Sequence, residues 1–241
     1  MVTGQKIAII PARGGSKRVP KKNYRDFCGK PMLSWCVSAA LASEMFDHVI
    51  VSTDSDEISR LAEKCGASVP FKRPANLSGD FVSTRPVVNH AIEKASELFG
   101  EISFVCCIYP TSPFLAPSTI RASGEALINE SLDFVFSCAS YRYPIQRALR
   151  INEAKTVEML WPENRSKRSQ DLEETFHDAG QFYWGRAEAF LRNQHTFGPS
   201  SLPWVLPAHL VHDIDTQEDW DRAELFFKTL KVADDCFPLF C

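Results

Sequence analysis

Lys6-Ile7-Ala8-Ile9-Ile10-Pro11 runs directly into Ala12-Arg13-Gly14-Gly15-Ser16-Lys17-Arg18-Val19-Pro20-Lys21-Lys22-Asn23, and this junction decides the fold. A short apolar run bounded by a turn signal reads as a buried strand. Open α/β sheets bind ligands just beyond the carboxyl ends of their strands, which is where this loop lies. Gly14 and Gly15 let the backbone approach an anion and aim its N–H groups inward. Arg13, Lys17, Arg18, Lys21 and Lys22 put five cations within ten residues. That density suits a triphosphate, which carries about four negative charges at neutral pH. The spacing is neither GxxxxGK[ST] nor GxGxxG, so it favours neither a P-loop NTPase nor an NAD enzyme. Read alone, the loop also fits a solvated basic turn.

Working outward, short β-rich runs alternate with helical patterns, as in βαβ units. Residues 32–43 read as a helix opened by Pro31, and residues 48–53 as a second strand. Asp54 and Ser55 can cap the next helix, and Gly66 stops it. Residues 84–99 and 117–129 read as helices, and 102–109 and 134–139 as strands. The expected fold is an open, mostly parallel α/β sheet. The rhythm breaks over residues 141–178, a polar stretch too long for a plain loop in a compact domain. It reads as an insertion or as an arm that meets a partner. A strand-like pattern resumes over 177–184, and residues 216–231 form a helix with Thr216 and Asp219 placed as a capping box. One domain thus spans 1–241, with an arm at about 140–178.

Composition bounds the function. A net charge of −3 argues against nucleic acid, which needs a concentrated basic patch. No apolar run approaches the ~20 residues that span a bilayer. Met1 to Lys6 lacks the features of a secretory signal, so the expected location is cytoplasmic and off the membrane. The eight cysteines form no CxxC pair, which disfavours a zinc site or a redox motif. Cys236 and Cys241 receive no role.

His212-Asp213-Ile214-Asp215-Thr216 places two carboxylates at i and i+2, on one side of an extended segment. Mg²⁺ is held in this way, by one or two carboxylates together with substrate phosphates. Alternatively, Asp215 simply precedes the following helix.

In order and spacing, ARGGSKRVPKKN resembles the N-terminal signature of the CMP-acylneuraminate synthetase family, ARGGSKG-x-x-x-KN, with Arg18 in place of a glycine. Asp213 to Asp219 is similar to that family's DIDT-x-x-D segment. The resemblance implies a nucleotide-diphospho-sugar transferase-like α/β fold, Mg²⁺ as cofactor and transfer of CMP from CTP to a nonulosonic acid. Arg13, Lys17 and Lys22, with Asp213 and Asp215, are then the catalytic set, and the two aspartates hold the metal. CTP would lie against Ala12, Gly14, Gly15 and Ser16, with Asn23 at the nucleoside and Arg73 and Thr84 beside it. Tyr109-Pro110-Thr111-Ser112-Pro113-Phe114-Leu115 stands where sialate enzymes carry Q-x-TSP-L-R, so Tyr109 and Leu115 replace two polar ends. The segments 143–149 and 168–184 are similar to the pseudaminic acid branch. That points to Tyr109, Thr111, Ser112, Gln146, Arg147, Arg168, His177, Asp178 and Gln181 as sugar-binding residues. Arg suits a carboxylate because its fork pairs bidentately, and His177 and Asp178 are placed to orient one another. The arm is expected to mediate a homodimer, because the stretch is too long and too poor in apolar residues to fold alone. The rivals are a CMP-neuraminate or CMP-Kdo synthetase, a DxD glycosyltransferase and a binding protein without activity.

Overall fold

The computed structural model describes residues 4–234. The elements run β1 (Gln5–Pro11), β2 (Asp26–Phe27), β3 (Lys30–Pro31), α1 (Met32–Ala42), β4 (His48–Ser52), α2 (Asp56–Lys64), α3 (Thr84–Phe99) and β5 (Ile102–Ile108). They continue with α4 (Pro117–Asn129), β6 (Phe134–Ser140), β7 (Leu149–Ile151), β8 (Val157–Met159), β9 (Phe176–Arg186), α5 (Ala187–Leu191), β10 (Ser201–Val205) and α6 (Gln217–Asp234). Cys236 and Cys241 lie outside the described residues.

One six-stranded sheet has the order β10-β6-β9-β5-β1-β4. Strand β1 pairs in parallel with β4 and β5, and β6 pairs in parallel with β10. Strand β9 runs antiparallel between β5 and β6. The carboxyl ends of the five parallel strands and the start of β9 therefore share one edge, the edge where such sheets bind ligands. The fold is the expected open, mostly parallel sheet.

The continuous apolar run of β1 follows from burial on both faces. Ala8 and Ile10 pack with Leu33 and Val37 of α1 and Ile58 of α2, while Ile7 and Ile9 pack with Val88, Ala91 and Ile92 of α3. Ser55 Oγ accepts a bond from the Ile58 N–H, and Gly66 at φ +93° ends the next turn. At α6, Thr216 and Asp219 form the expected box: Thr216 N–H donates to the Asp219 carboxylate and Asp219 N–H to Thr216 Oγ1. Trp220 then buries its ring edge-on against Phe27, with Ile214 in the same cluster. This cluster pins the start of α6 beside the β1 loop.

Sequence reading missed β10 and α5. The edge strand β10 is five residues long with Pro203 inside it, a pattern confined to edges and weak as a strand signal. The stretch 141–178 is no structureless insertion. It holds an antiparallel β7–β8 hairpin and three short 3₁₀ turns. Leu149, Ile151 and Val157 on this hairpin stay 61–77% exposed.

At the centre of the sheet, Gly185 faces Phe134 in register. A Cβ there would stand 2.6 Å from the Phe134 ring and 2.7 Å from Phe190, both buried. Gly185→Ala should therefore cost about 1–3 kcal/mol through overpacking, read by urea unfolding. An unchanged midpoint and slope would show that the rings move freely.

Candidate active site

The loop after β1 is held at both ends. Ala12 N–H donates to Ser52 O at the end of β4, and the Asn23 side-chain amide donates to Arg13 O at 2.9 Å. Gly14 N–H reaches Asp54 Oδ1 at 2.9 Å, and a Cβ on Gly14 would meet Ser55 Cβ at 2.9 Å. Only glycine lets the loop lie this close to the α2 start. Gly15 faces open space, with nothing within 4 Å of its Cβ position.

The loop then bounds a cavity of about 630 Å³ at the carboxyl edge of the sheet. Arg13, Gly15, Ser16, Lys17, Lys22 and Asn23 line one side, and Arg73, Thr84, Tyr109 and Thr111 face them. Asp213 and Asp215 close the end. Most of the nucleotide-site residues expected from the sequence thus meet around one space. Ala12 and Gly14 act behind the wall, through the bonds just described.

Five cations in one short loop repel, and carboxylates neutralise four of them, while Lys21 lies over the Tyr24 ring. Lys22 Nζ donates to Ile214 O at 2.6 Å and lies 3.4 Å from Asp215, and Arg18 pairs with Asp215 at 2.9 Å. Arg13 and Lys17 both pair with Asp80. Asp80 was not foreseen, because an ion-pair partner 67 residues from Arg13 leaves no local sequence signal.

Arg73 is only 5% exposed. Its Nε donates to Ser52 Oγ at 3.1 Å and another guanidinium nitrogen to Ser52 O. No carboxylate lies within ion-pair distance of it among the described residues. Burial pushes its pKa down to about 10, with Asp54 partly opposing. The guanidinium stays charged at neutral pH, a buried cation facing a cavity. Asn23, 6% exposed, keeps its Oδ1 buried without a hydrogen-bond partner among the described residues.

Asp213 and Asp215 lie on one side of an extended segment while Ile214 between them is fully buried. Partial burial, and then repulsion from Asp215, raise the Asp213 pKa. Two close carboxylates of which one resists ionisation make a donor set that a divalent cation would relieve.

The expected sugar residues separate into three groups. Tyr109 and Thr111 line the cavity, and Tyr109 Oη lies 2.9 Å from Thr84 Oγ1. Tyr109 and Thr84 also border an adjoining space of about 450 Å³ with Asp178, Tyr183 and Phe197. There Tyr183 donates to Asp178 Oδ2 at 2.5 Å, an aromatic partner that sequence reading missed. His177 borders a different space, with Tyr141 and Arg142. Consecutive strand residues face opposite sides, so His177 and Asp178 do not pair through their side chains; His177 Nδ1 instead lies 2.9 Å from Asp178 O.

Ser112 and Gln181 are buried and committed to backbone carbonyls, of Gln181 and Leu210 respectively. Gln146, Arg147 and Arg168 sit on the arm, bonded to Glu173 O, Ser169 and Asp171. The structure does not bring these five residues into the cavity. Leu115 is also absent from it, buried in the core beside α1 and α4.

Residues 7–206 match the family described as cytidylyltransferase. The chain belongs to that family. It is therefore a nucleotidyltransferase. It is 43% identical over 222 residues to a pseudaminic acid cytidylyltransferase of Campylobacter jejuni, covering 92% of this chain and 96% of that protein. It is 31% identical to an N-acylneuraminate cytidylyltransferase of Escherichia coli, covering 90% of this chain and 51% of that protein. Among solved structures, a CMP:2-keto-3-deoxy-manno-octonic acid synthetase complexed with CTP is similar in fold, with TM-score 0.69 and 15% identity. That match covers 94% of this chain and 99% of the other.

The loop geometry separates its two glycines. Gly14→Ala should lower Tm by roughly 2–8 °C, about 1–2 kcal/mol, because Ser55 must move. Gly15→Ala should leave Tm unchanged. Equal shifts in thermal melts would overturn this account of the loop.

Proposed function

We propose that the chain transfers CMP from CTP to pseudaminic acid or a close 5,7-diacylamino relative and releases pyrophosphate. The observation that carries this is the cavity itself, cationic along one wall and closed by paired carboxylates. CTP would lie with its triphosphate along Arg13, Lys17 and Lys22. Arg73 supplies a buried positive charge beside the nucleotide, and Asn23 on the facing wall would touch the nucleoside.

Asp213 and Asp215 fit Mg²⁺, a hard cation that takes one or two carboxylates and completes its shell with phosphate and water. When bound, the ion supplies charge neutralisation at the phosphates and lowers the pKa of the attacking hydroxyl. The anomeric hydroxyl attacks the α-phosphorus in line, and the bond to the β-phosphate breaks. Arg13, Lys17 and Lys22 stabilise the charge that grows on the departing pyrophosphate. Positioning and electrostatics carry most of such a transfer.

The acceptor would take the adjoining space across Tyr109, where Phe197 and Tyr183 offer apolar surface beside Thr84 and Asp178. Neuraminate would bring a hydroxylated glycerol chain, which needs polar partners when buried. A 9-deoxy sugar with a second acylamino group brings methyl groups, each worth about 0.8 kcal/mol when buried. The higher identity to a pseudaminic acid enzyme than to an N-acylneuraminate enzyme supports the same choice.

A second copy of the chain would cover the arm, because Leu149, Ile151 and Val157 form an exposed apolar face. In a dimer, Gln146, Arg147 and Arg168 would serve the partner's acceptor. A cytoplasmic setting suits Cys36, Cys65, Cys106, Cys107 and Cys138, which form no disulfide among the described residues. No described helix is long and apolar enough to cross a membrane.

Incubation with CTP, Mg²⁺ and a panel of nonulosonic acids should release pyrophosphate fastest with pseudaminic acid. Equal or higher kcat/KM for N-acetylneuraminate would overturn the acceptor assignment. Asp213→Asn and Asp215→Asn should each lower turnover at least tenfold, about 1.4 kcal/mol of barrier. Wild-type rates in both would remove the metal assignment. Light scattering should give a dimer mass, and Ile151→Glu should shift it toward monomer; a wild-type monomer at micromolar concentration would refute the arm's role.

A further inference from the structure

Asp80 takes no part in the transfer just described, yet it grips two of the cations that the transfer depends on. One carboxylate oxygen accepts from the Arg13 guanidinium, and the other lies 2.5 Å from Lys17 Nζ. Both cations hold its pKa below the usual carboxylate range. Lys17 is 83% exposed, so packing does not fix it and the carboxylate does. Asp80 lines the cavity itself, beside Gly79 and opposite the loop after β1. Four of the five loop cations thus form two pairs: Arg18 and Lys22 on Asp215, Arg13 and Lys17 on Asp80.

We propose that Asp80 is an internal competitor for the terminal phosphates of the nucleotide, occupying their cations until a more highly charged anion displaces it. The proposal rests on the reading that the cavity takes CTP. A β,γ-diphosphate brings more negative charge and more acceptor oxygens than one carboxylate, so it wins the exchange at a reduced net gain. A nucleoside monophosphate does not reach Arg13 and Lys17 and meets no competition. The residue therefore sets how tightly a triphosphate is held, and it returns to the two cations when pyrophosphate leaves. A merely structural or preorganising carboxylate would have the opposite effect, since its loss would let the cations splay and weaken the anion.

Calorimetry separates these roles. Inorganic tripolyphosphate, pyrophosphate, CTP and CMP are titrated into wild type, Asp80→Asn and Asp80→Glu, with thermal melts as a check on folding. In Asp80→Asn at low salt, tripolyphosphate, pyrophosphate and CTP should bind about three- to tenfold tighter, the scale of two exposed ion pairs. CMP should bind unchanged, and Asp80→Glu, which keeps the charge, should behave like wild type. The gap should narrow at about 0.5 M salt, where exposed charges are screened. Tripolyphosphate binding that is unchanged or weaker in Asp80→Asn overturns the proposal, as does equal tightening of CMP. A wild type that binds tripolyphosphate but prefers another nucleoside triphosphate to CTP overturns the cytidylyl reading instead and leaves the Asp80 comparison standing.

Discussion

Mutual repulsion among Arg13, Lys17, Arg18, Lys21 and Lys22 is the constraint around which the binding edge is organised. Unit charges a few ångströms apart cost about 1 kcal/mol in water and several times that near a protein surface. A loop carrying five of them adopts one conformation only if counter-charges come from elsewhere in the chain. Asp80 arrives from the turn before α3, and Asp215 from the segment before α6. Asp54, at the end of β4, instead holds the loop backbone through the Gly14 N–H. The topology that sets β1 beside β4 and β5 thus delivers those carboxylates as well as the core. Loop and fold are held by the same arrangement: the sheet edge positions the carboxylates, and they let the cations converge.

Period-two geometry then decides which groups face the cavity. Asp213 and Asp215 reach it because Ile214 between them is drawn into the cluster with Phe27 and Trp220. The same rule divides His177 from Asp178, one toward the space beside Tyr141 and the other toward Tyr183. Chain neighbours end up in different sites, while Thr84 and Tyr109, 25 residues apart, share a hydrogen bond at 2.9 Å. A local pair such as His177-Asp178 reads as a functional unit in the sequence but is one only where the backbone turns between its members.

What the sequence made legible was periodic or concentrated. The helical readings over 84–99 and 117–129 match α3 and α4, and the unbroken apolar run of β1 matches its strand. The cationic loop and the aspartate pair were visible because several like residues crowd together. Asp80, Tyr183 and the carbonyl that Ser52 offers Arg73 were not, since each matters only through a tertiary contact. Ser112 and Gln181 were misleading for the complementary reason. A buried polar side chain must satisfy its hydrogen bonds, and in these two the partners are backbone carbonyls rather than a ligand. Strand β10 failed on pattern, being a short edge strand with proline, and within the arm the β7–β8 hairpin gave no strand signal because its apolar side is largely exposed.

Asp215 ties the two halves of the proposed chemistry together. It neutralises Arg18 and Lys22, so as a metal ligand it would leave them uncompensated. A triphosphate that takes over those cations releases Asp215. Divalent charge beside Asp213 would offset the burial and the Asp215 repulsion that together raise its pKa. Each event lowers the cost of the other, and such a coupling free energy acts equally in both directions. A nucleotide without the cation places negative charge beside two carboxylates, and a cation without the nucleotide strips two lysine and arginine partners. On the proposed function, nucleotide and cation would bind most favourably together, through one carboxylate that would belong to both charge networks.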